Sequence, residues 1–246
     1  MKLVVLGSGG SAQAVDRACA SYLLDGKIMI DVGPGSYRNL LKSGNDPLRI
    51  GALFLSHLHG DHFFDFGTLI WGMSFFQRTD QLTVYGPAGT SEMVKKMLSI
   101  ANTPSSFMKF GLNVIEIKAG ERFEFQGLKV MTAPGNHVIE DIAYRVNDIC
   151  YTGDTAPSDS IIDLASGCSL LIHESSGLVE NESLLRTVGH SSSKQAAIVA
   201  SRSNSKKLLL AHLTPLVSDR RNELLDQARS EFRNTELAED LMVLDV

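Results

Sequence analysis

The stretch His57-Leu58-His59-Gly60-Asp61-His62 places four potential metal ligands, three imidazoles and one carboxylate, within six residues. The apolar run before it, residues 52–56, predicts a buried strand, and the apolar run after it predicts the start of a helix. The ligands therefore follow the carboxyl end of a strand, which is where open α/β sheets place their functional sites. Imidazoles combined with a carboxylate suit zinc and similar divalent ions.

Four ligands this close together are hard to direct at a single ion, so residues 57 and 59 could face one metal and residues 61 and 62 a second. A histidine-rich surface loop is the alternative interpretation. The chain has seven histidines in all, and the presence of three of them in this short stretch argues against that alternative.

The motif His57-x-His59-x-Asp61-His62 after an apolar strand resembles the signature of the metallo-β-lactamase superfamily of metallohydrolases. Residues that match the other motifs of that family occur in the family's order along essentially the whole chain: Asp31, His137, Asp154 and His212. Residues 171–175 (Leu-Ile-His-Glu-Ser) and 189–192 (Gly-His-Ser-Ser) resemble the ribonuclease Z branch, the tRNA 3′-end endonucleases, and its small phosphodiesterase relatives.

The predicted elements form two halves, in each of which strands come first and helices follow. Strands are predicted at 2–6, 20–25, 27–32, 52–56, 82–85, 112–118, 122–125, 127–133, 141–147, 149–152, 168–173, 206–211 and 241–245. Helices are predicted at 35–43, 62–77, 90–101, 157–166, 191–203 and 218–233. This order predicts two sheets face to face with helices outside. The resemblance implies the same α/β architecture, the four-layer αββα sandwich of the metallo-β-lactamase fold, as a single domain over residues 1–246.

The resemblance also implies a dinuclear site for two divalent metal ions, with zinc as the default and manganese or iron as alternatives. The ligands that it implies are His57, His59 and His137 for one ion, Asp61, His62 and His212 for the other, and Asp154 as the bridge between them.

Catalytic roles for three residues follow from the same resemblance. Asp61 would orient the attacking hydroxide or take up its proton. His190, in a Gly-His-Ser turn ahead of a predicted helix, would donate a proton to the departing oxygen, and an imidazole pKa of about 6.5 suits that role. Glu174 or His173 would position His190. For His173, a buried strand-end side chain with a satisfied hydrogen bond is an equally weighted alternative.

Composition is that of one cytoplasmic enzyme. The 246 residues are 43% hydrophobic, enough to fill a sizeable core, and the net charge of −5 gives no general attraction to nucleic acid or acidic membranes. The three cysteines, Cys19, Cys150 and Cys168, show no CxxC spacing, which predicts buried free thiols in a reducing compartment. We interpret the amino-terminal apolar run as the first strand, and no run is long enough to span a membrane.

Two further patterns have a structural interpretation. The glycine-rich stretch Gly7-Ser8-Gly9-Gly10-Ser11 lacks the spacing of phosphate-binding loops, which favours a tight structural loop near the site. The aromatic cluster between Phe63 and Phe76 is expected to lie mostly in the core, with one or two residues reaching the substrate cavity.

One feature of ribonuclease Z is missing. That family carries a long arm, inserted between the residues that match His137 and Asp154, which grips the tRNA elbow. Here these two residues are 17 positions apart, and the interval holds only two short predicted strands joined by Asn147-Asp148. A tRNA is usually held by many Lys and Arg contacts to its phosphates, and this chain offers only small basic pairs.

The sequence therefore predicts a dinuclear metal-dependent hydrolase, a phosphodiesterase that cleaves a small or cyclic phosphodiester. The close alternative is a ribonuclease Z-like RNA-processing endonuclease without the arm. A more distant alternative is a lactone, thioester or sulfate ester hydrolase, and a metal-storing protein of the same fold is the non-enzymatic one. The expected partners are a small-molecule substrate and a second copy in a homodimer, which is common in this branch, and no membrane.

Overall fold

In the described part of the chain, residues 1–104 and 106–246, the computed structural model contains two seven-stranded mixed sheets. The chain divides into two compact units with one sheet each. The first unit comprises residues 1–8, 15–117 and 239–245, and the second comprises residues 9–14, 118–238 and 246. The assignment of residues 1–246 to a single domain stays a prediction.

The sheet of the first unit changes from antiparallel to parallel at its middle. Its order is β14 (Val243–Asp245), β1 (Lys2–Gly7), β2 (Ser21–Leu24), β3 (Ile28–Ile30), β4 (Ala52–Phe54), β5 (Leu82–Gly86) and β6 (Leu112–Glu116). Pairs from β14 to β3 are antiparallel, and pairs from β3 to β6 are parallel. Asp25 and Gly26 turn the chain between β2 and β3 in the left-handed conformations typical of tight hairpins (φ 48° and 67°).

Four α-helices belong to the first unit: α1 (Ser36–Lys42), α2 (Gly60–Phe63), α3 (Phe66–Phe75) and α4 (Thr90–Ile100). Leu69 and Met73 of α3 share one buried apolar cluster with Leu53 of β4 and Val84 of β5. Strand β4 is fully buried and consists of uninterrupted apolar residues, as the sequence predicts for residues 52–56. This packing fixes the strand end from which the histidine-rich motif begins.

The prediction of one helix over residues 62–77 is wrong, because the chain breaks at residues 64–65 between α2 and α3. The N–H of Asp65 donates to the carbonyl of Val32 (3.0 Å), not to a carbonyl one turn back in a continuous helix. The Asp65 carboxylate accepts a hydrogen bond from the N–H of Tyr37 (2.9 Å). The short α2, which carries Asp61 and His62, is thereby tied to the chain that follows β3.

The aromatic cluster is less buried than expected. Phe63 and Phe66 are fully buried and stack with their ring centroids 5.0 Å apart. The side chains that remain exposed are Phe64, Trp71, Phe75 and Phe76, by 41–71%. The residues of α3 are mostly apolar on both of its faces. One face packs on the sheet, and the other stays exposed at the surface of the unit.

The sheet of the second unit has the same succession of pairings. Its order is β7 (Arg122–Phe125), β8 (Leu128–Pro134), β9 (Ile142–Val146), β10 (Ile149–Tyr151), β11 (Leu170–Glu174), β12 (Leu208–Ala211) and β13 (Thr235–Leu237). Pairs from β7 to β10 are antiparallel, and pairs from β10 to β13 are parallel. The parallel strands β10, β11 and β12 are buried along their length, and polar residues begin where they end.

The helices of the second unit are α5 (Asp159–Leu164), α6 (Glu182–Thr187), α7 (Ser193–Arg202) and α8 (Arg221–Arg229). The helix α7 starts with a capping box, in which Ser192 Oγ accepts the N–H of Gln195 (3.1 Å) and Gln195 Oε1 accepts the N–H of Ser192 (3.0 Å). Ala196, Val199 and Ala200 of α7 lie in the apolar cluster that buries the sheet.

Three local predictions are corrected in this unit. The predicted helix over residues 218–233 begins as a 3₁₀ turn, Pro215–Arg220, and its α-helical part ends at Arg229. Neither α6 nor β13 was predicted, since six and three residues are too short for a clear periodic pattern.

The prediction for the cysteines is confirmed, since Cys19, Cys150 and Cys168 are all buried and free. Among the described residues, no helix combines the length and the apolar character needed to cross a membrane.

Candidate metal centre

The first unit brings four predicted ligands together directly after β4. His57 and His62 are fully buried, whereas His59 and Asp61 are half-buried. His57 Nε2 lies 3.1 Å from His59 Nδ1, and His62 Nε2 lies 3.5 Å from Asp61 Oδ2. His57 Nε2 thus faces His59 and His62 Nε2 faces Asp61, while the rings of His57 and His62 also lie against each other, with centroids 4.1 Å apart.

Asp31 holds the two buried histidines of this unit. Its Oδ2 lies 2.8 Å from His62 Nδ1, and the same oxygen accepts the hydroxyl of Ser56 (2.8 Å). Because Ser56 Oγ donates to Asp31, it is left as an acceptor for the N–H at Nδ1 of His57 (3.0 Å). One buried carboxylate thus orients His62 directly and His57 through a serine, leaving the Nε2 atom of both rings directed at another predicted ligand.

The backbone places Asp31 for this role. Asp31 follows β3 in the left-handed conformation (φ 55°), and its N–H donates to the carbonyl of Phe54 at the end of β4 (2.8 Å). Its Oδ1 accepts the N–H of Ser56 (2.8 Å). A non-glycine residue in this conformation is uncommon and is typical of functional sites, where surrounding hydrogen bonds offset the strain.

The second unit groups Asp154 and His212 at the ends of two parallel strands. Asp154 follows β10 and His212 follows β12, and both are 2% exposed. His212 Nε2 lies 3.3 Å from Asp154 Oδ1. The ring of His212 lies against Gly10, where a Cβ atom would come within 2.1 Å of the ring. The glycine-rich stretch therefore packs closely against a predicted ligand at Gly10, in agreement with the expectation of a tight structural loop near the site.

His137 comes from the connection between β8 and β9. Its Nδ1 lies 3.0 Å from the carbonyl oxygen of Gly189, which fixes the ring. Gly189 has φ 69°, and a Cβ atom there would lie 2.7 Å from the Cα atom of His137, so only a glycine allows this approach. The ligand atoms of His137 and Asp154 lie within 4.8 Å of each other.

Glu174 is the counterpart of Asp31 in the second unit. The Glu174 side chain is buried, and its Oε1 lies 2.8 Å from His190 Nδ1. Its Oε2 accepts the hydroxyl of Ser176 (2.9 Å), which leaves Ser176 Oγ as an acceptor for the N–H at Nδ1 of His212 (3.1 Å). Again one carboxylate orients one histidine directly and a second through a serine.

His190 is not one of the expected metal ligands, but it lies close to the expected ligands of its unit. Its Nδ1 is 4.0 Å from Asp154 Oδ2, and its ring centroid is 5.0 Å from that of His137 and 5.4 Å from that of His212. Its side chain keeps 13% exposure. A partly open imidazole held by a carboxylate beside predicted ligands is suited to exchange a proton with a substrate.

Among the described residues, His173 forms no hydrogen bond with His190. Its Nδ1 lies 2.8 Å from the backbone carbonyl oxygen of Glu174, and its Nε2 is buried without a hydrogen-bond partner among the described residues. Burial lowers the pKa of the ring, so His173 is a neutral imidazole in the strand. Of the two residues proposed to position His190, the structure therefore points to Glu174.

Sequence reasoning missed two kinds of residue. The serines Ser56 and Ser176 are visible in the sequence, but their role depends on contacts that no spacing rule reveals. Asp141 was also missed: its buried carboxylate accepts the N–H of Asp154 (3.1 Å), and its backbone carbonyl accepts the N–H of Gly135 (3.0 Å). Asp141 thereby connects the segment that carries His137 with the one that carries Asp154.

The donor atoms fit a divalent metal ion. In His57, His62 and His212, Nδ1 faces a serine or aspartate oxygen while Nε2 faces another predicted ligand. This arrangement selects the tautomer whose Nε2 lone pair is available for a metal. A thiolate ligand is not offered nearby, since burial and the Asp61 carboxylate raise the pKa of Cys19 to about 11.

Comparison with known proteins agrees with this picture. A family model described as Beta-lactamase superfamily domain matches residues 27–213. The chain is 29% identical over 301 residues to Ribonuclease Z of Methanothermobacter thermautotrophicus, covering 100% of this chain and 97% of that protein.

Two solved structures are similar over nearly their whole length. The metallo-β-lactamase fold protein YhfI from Bacillus subtilis has a TM-score of 0.84 at 22% identity, covering 99% of this chain and 98% of that one. A diphosphatase from the PhnP family has a TM-score of 0.78 at 20% identity, covering 100% of this chain and 97% of that one. These similarities confirm the predicted metallo-β-lactamase fold.

The serine that orients His212 gives a direct test of this hydrogen-bond system. Replacing Ser176 by alanine removes the acceptor of the His212 N–H, and we expect metal affinity to fall about 10- to 100-fold, as for other residues that orient ligands. The measurement is a titration of the metal-loaded protein with a competing chelator.

Ser175→Ala is the matched control, because the neighbouring Ser175 hydroxyl is equally buried but has no hydrogen-bond partner among the described residues. It should leave metal affinity unchanged. Equal affinities in the two variants would contradict the role given to Ser176.

Proposed function

This chain belongs to the β-lactamase superfamily, and on that premise we propose that it is a metal-dependent phosphodiesterase that cleaves a small or cyclic phosphodiester. The observation that carries the proposal is the Glu174–His190 pair beside Asp154 and His212. A protein that only stores metal has no need of a partly exposed imidazole held next to its ligands. A hydrolase needs such a group to protonate the departing oxygen.

The proposed ligands are those that the family resemblance assigns. They are His57, His59, Asp61, His62, His137, Asp154 and His212. Two divalent ions bound by them would supply an ionised water as nucleophile and charge to stabilise the attacking and leaving oxygens. Zinc is the proposed metal, since imidazole and carboxylate donors suit it, with manganese or iron as alternatives.

The chain's own residues would then handle protons and orientation. Asp61, half-buried beside His62, would take up the proton of the attacking water. His190 would donate a proton to the leaving oxygen. Glu174 accepts at His190 Nδ1 (2.8 Å), so Nε2 is the nitrogen that remains for the substrate. Asp31 and Glu174 would keep the rings in place through the reaction.

The connections of the second unit support a small substrate. Residues 135–141 join β8 to β9, residues 147–148 join β9 to β10, and neither connection is long enough for an arm that grips tRNA. The alignment with Ribonuclease Z runs over 301 positions against 246 residues here, so at least 55 of those positions fall on gaps in this chain. The similarity to a diphosphatase of the PhnP family agrees with a substrate that contains phosphate.

An RNA-processing endonuclease is the second candidate. The 29% identity to Ribonuclease Z along the whole chain favours it, and so do residues 189–192 and 171–175, which resemble that branch. The missing arm and the net charge of −5 count against it. Lactone, thioester and sulfate ester hydrolysis stay the more distant alternative.

We also propose a homodimer in the cytoplasm. The free, buried thiols agree with a reducing compartment. Trp71 and Phe75, four residues apart on α3, are 41% and 71% exposed, and exposed aromatic side chains on one helix face are a candidate protein–protein contact.

A first test is the number of ions. Protein purified without chelator and saturated with zinc should contain about two ions per chain, as for other two-metal sites. Asp154→Ala should reduce that number, because it removes the proposed bridge. Elemental analysis of the dialysed protein measures both values. One ion per chain at saturation, or full occupancy in Asp154→Ala, would overturn the ligand set.

A second test separates His190 from the ligands. His190→Ala should keep the full metal content but lower turnover of a diester with a poor leaving group by about 10²–10⁴-fold, the usual contribution of a general acid. Diesters of p-nitrophenol should be affected much less, since that leaving group departs without a proton. Steady-state kinetics on both substrates and elemental analysis of the variant measure these two effects. Loss of a metal ion from His190→Ala would show that His190 is a ligand.

A third test chooses between the two candidate functions. The native oligomer should cleave bis(p-nitrophenyl) phosphate or a cyclic nucleotide with a higher kcat/KM than precursor tRNA, and any RNA binding should depend weakly on salt. An RNA-processing enzyme would instead cut precursor tRNA at least tenfold faster and lose activity steeply as salt rises. That outcome would replace the small-substrate proposal.

A further inference from the structure

Three aliphatic side chains are exposed next to the proposed proton donor. Val138 and Ile139 follow His137 directly and are 58% and 39% exposed, and Val188, two residues before His190, is 41% exposed. Exposed aliphatic residues scattered singly need no explanation, but here they flank two residues of the candidate site. We call Val138, Ile139 and Val188 the aliphatic rim.

The two segments that carry the rim are in direct contact. The His137 ring hydrogen-bonds to the Gly189 carbonyl at 3.0 Å, and the two backbones approach so closely that a Cβ atom on Gly189 would lie 2.7 Å from the Cα atom of His137. Val138 and Val188 are the chain neighbours of this touching pair. The two segments that carry the rim are therefore adjacent in the fold.

Hydrogen bonds hold this surface in place. Gly135 donates to the carbonyl of Asp141 (3.0 Å), closing the base of the connection, and Ala156 donates to the carbonyl of Asn136 (2.9 Å). The N–H of Asn136 donates to Thr155 Oγ1 (2.8 Å). With both its ends and His137 fixed, the connection presents Val138 and Ile139 at a defined position, as a specificity site requires.

The rim lies on segments that carry the residue proposed to protonate the leaving oxygen and a proposed ligand. His190 belongs to the same segment as Val188, and its ring is 5.0 Å from that of His137, the residue before Val138 on the other segment. A proton donor must come within hydrogen-bond distance of the oxygen that it protonates, about 2.6–3.2 Å. The body of the leaving group, attached to that oxygen, therefore has the rim among its nearest neighbours.

Segments 135–141 and 188–193 contain no Lys or Arg. The charged residues of segment 135–141 are Glu140 and Asp141, and residues 188–193 contain none besides His190. A nucleic-acid strand that continued past the cleaved bond would bring another phosphate here, and phosphates are held by Lys, Arg and backbone N–H donors. Aliphatic side chains instead favour an uncharged, apolar or aromatic group, with about 0.8 kcal/mol gained per buried CH₂.

We propose that the aliphatic rim is the binding site for the leaving group and selects an uncharged alcohol with an aromatic or apolar body, such as a nucleoside without a further phosphate. This inference rests on the proposed function, since it takes His190 as the donor to the leaving oxygen. It goes further by naming the class of diester: one whose departing half carries no additional charge.

The test uses two substrates that differ only in the charge of the leaving group. These are methyl p-nitrophenyl phosphate and the same diester with a sulfonate on the nitrophenyl ring, compared in the zinc-loaded protein. The wild type should prefer the uncharged diester by about tenfold or more in kcat/KM. The double variant Val138→Thr/Val188→Thr keeps the side-chain shape but replaces a methyl group by a hydroxyl at each position. Its preference for the uncharged diester should be about tenfold smaller, because kcat/KM falls for the uncharged diester and stays the same for the sulfonated one.

Val243→Thr is the control, an equally exposed valine on β14 that should change neither value. If the wild type and the double variant treat both substrates alike, the rim does not select the leaving group, while the proposed function stands. If the metal-loaded wild type cleaves neither diester, both the proposed function and this inference fail. A double variant that loses activity on both substrates equally would also contradict the rim's role, provided that it unfolds at the wild-type temperature.

Discussion

A buried carboxylate that holds one histidine directly and a second through a serine is the interaction on which the candidate site depends. Asp31 does this in the first unit, and Glu174 does it in the second. A carboxylate shielded from water is stable only if donors surround it, and Glu174 accepts hydrogen bonds from three backbone N–H groups besides its side-chain partners. The strand ends and turns around each carboxylate are therefore shaped to supply N–H donors.

The same solution recurs where the chain has to join distant segments. The Asp240 carboxylate accepts the N–H groups of Ser8 and Ala18 and the side-chain amide of Asn39, which ties the chain after β1 to α1 and to the last strand of its sheet. Asp141 likewise accepts the N–H of Asp154. Many strands here are only three residues long, so loops must be positioned by side chains more than by strand pairing.

The sequence predicted what local pattern determines. Apolar runs located most strands, and the motif around His57 identified the edge of the sheet where ligands collect. The roles of Asp141 and Asp240 could not be predicted, because each depends on backbone donors brought close by folding: 13 positions away for Asp141 and more than 200 for Asp240. The break between α2 and α3 also depends on a contact made by folding, because the N–H of Asp65 donates to the carbonyl of Val32, a residue outside the helix. Short elements such as β13 have too few residues to show a period.

The burial of the proposed ligands would also link the supply of metal to the amount of folded protein. For example, His212 Nε2 lies 3.3 Å from Asp154 Oδ1, and both side chains are almost completely buried. A cation that binds them in the native state and not in the unfolded chain shifts the folding equilibrium by mass action, by about 2.7 kcal/mol at a free concentration one hundred times the Kd. In a cell, a stability change of this size alters the fraction of unfolded chains, which proteases degrade, and so changes the abundance of the protein several-fold. The abundance of this protein would then follow metal availability with no dedicated regulator.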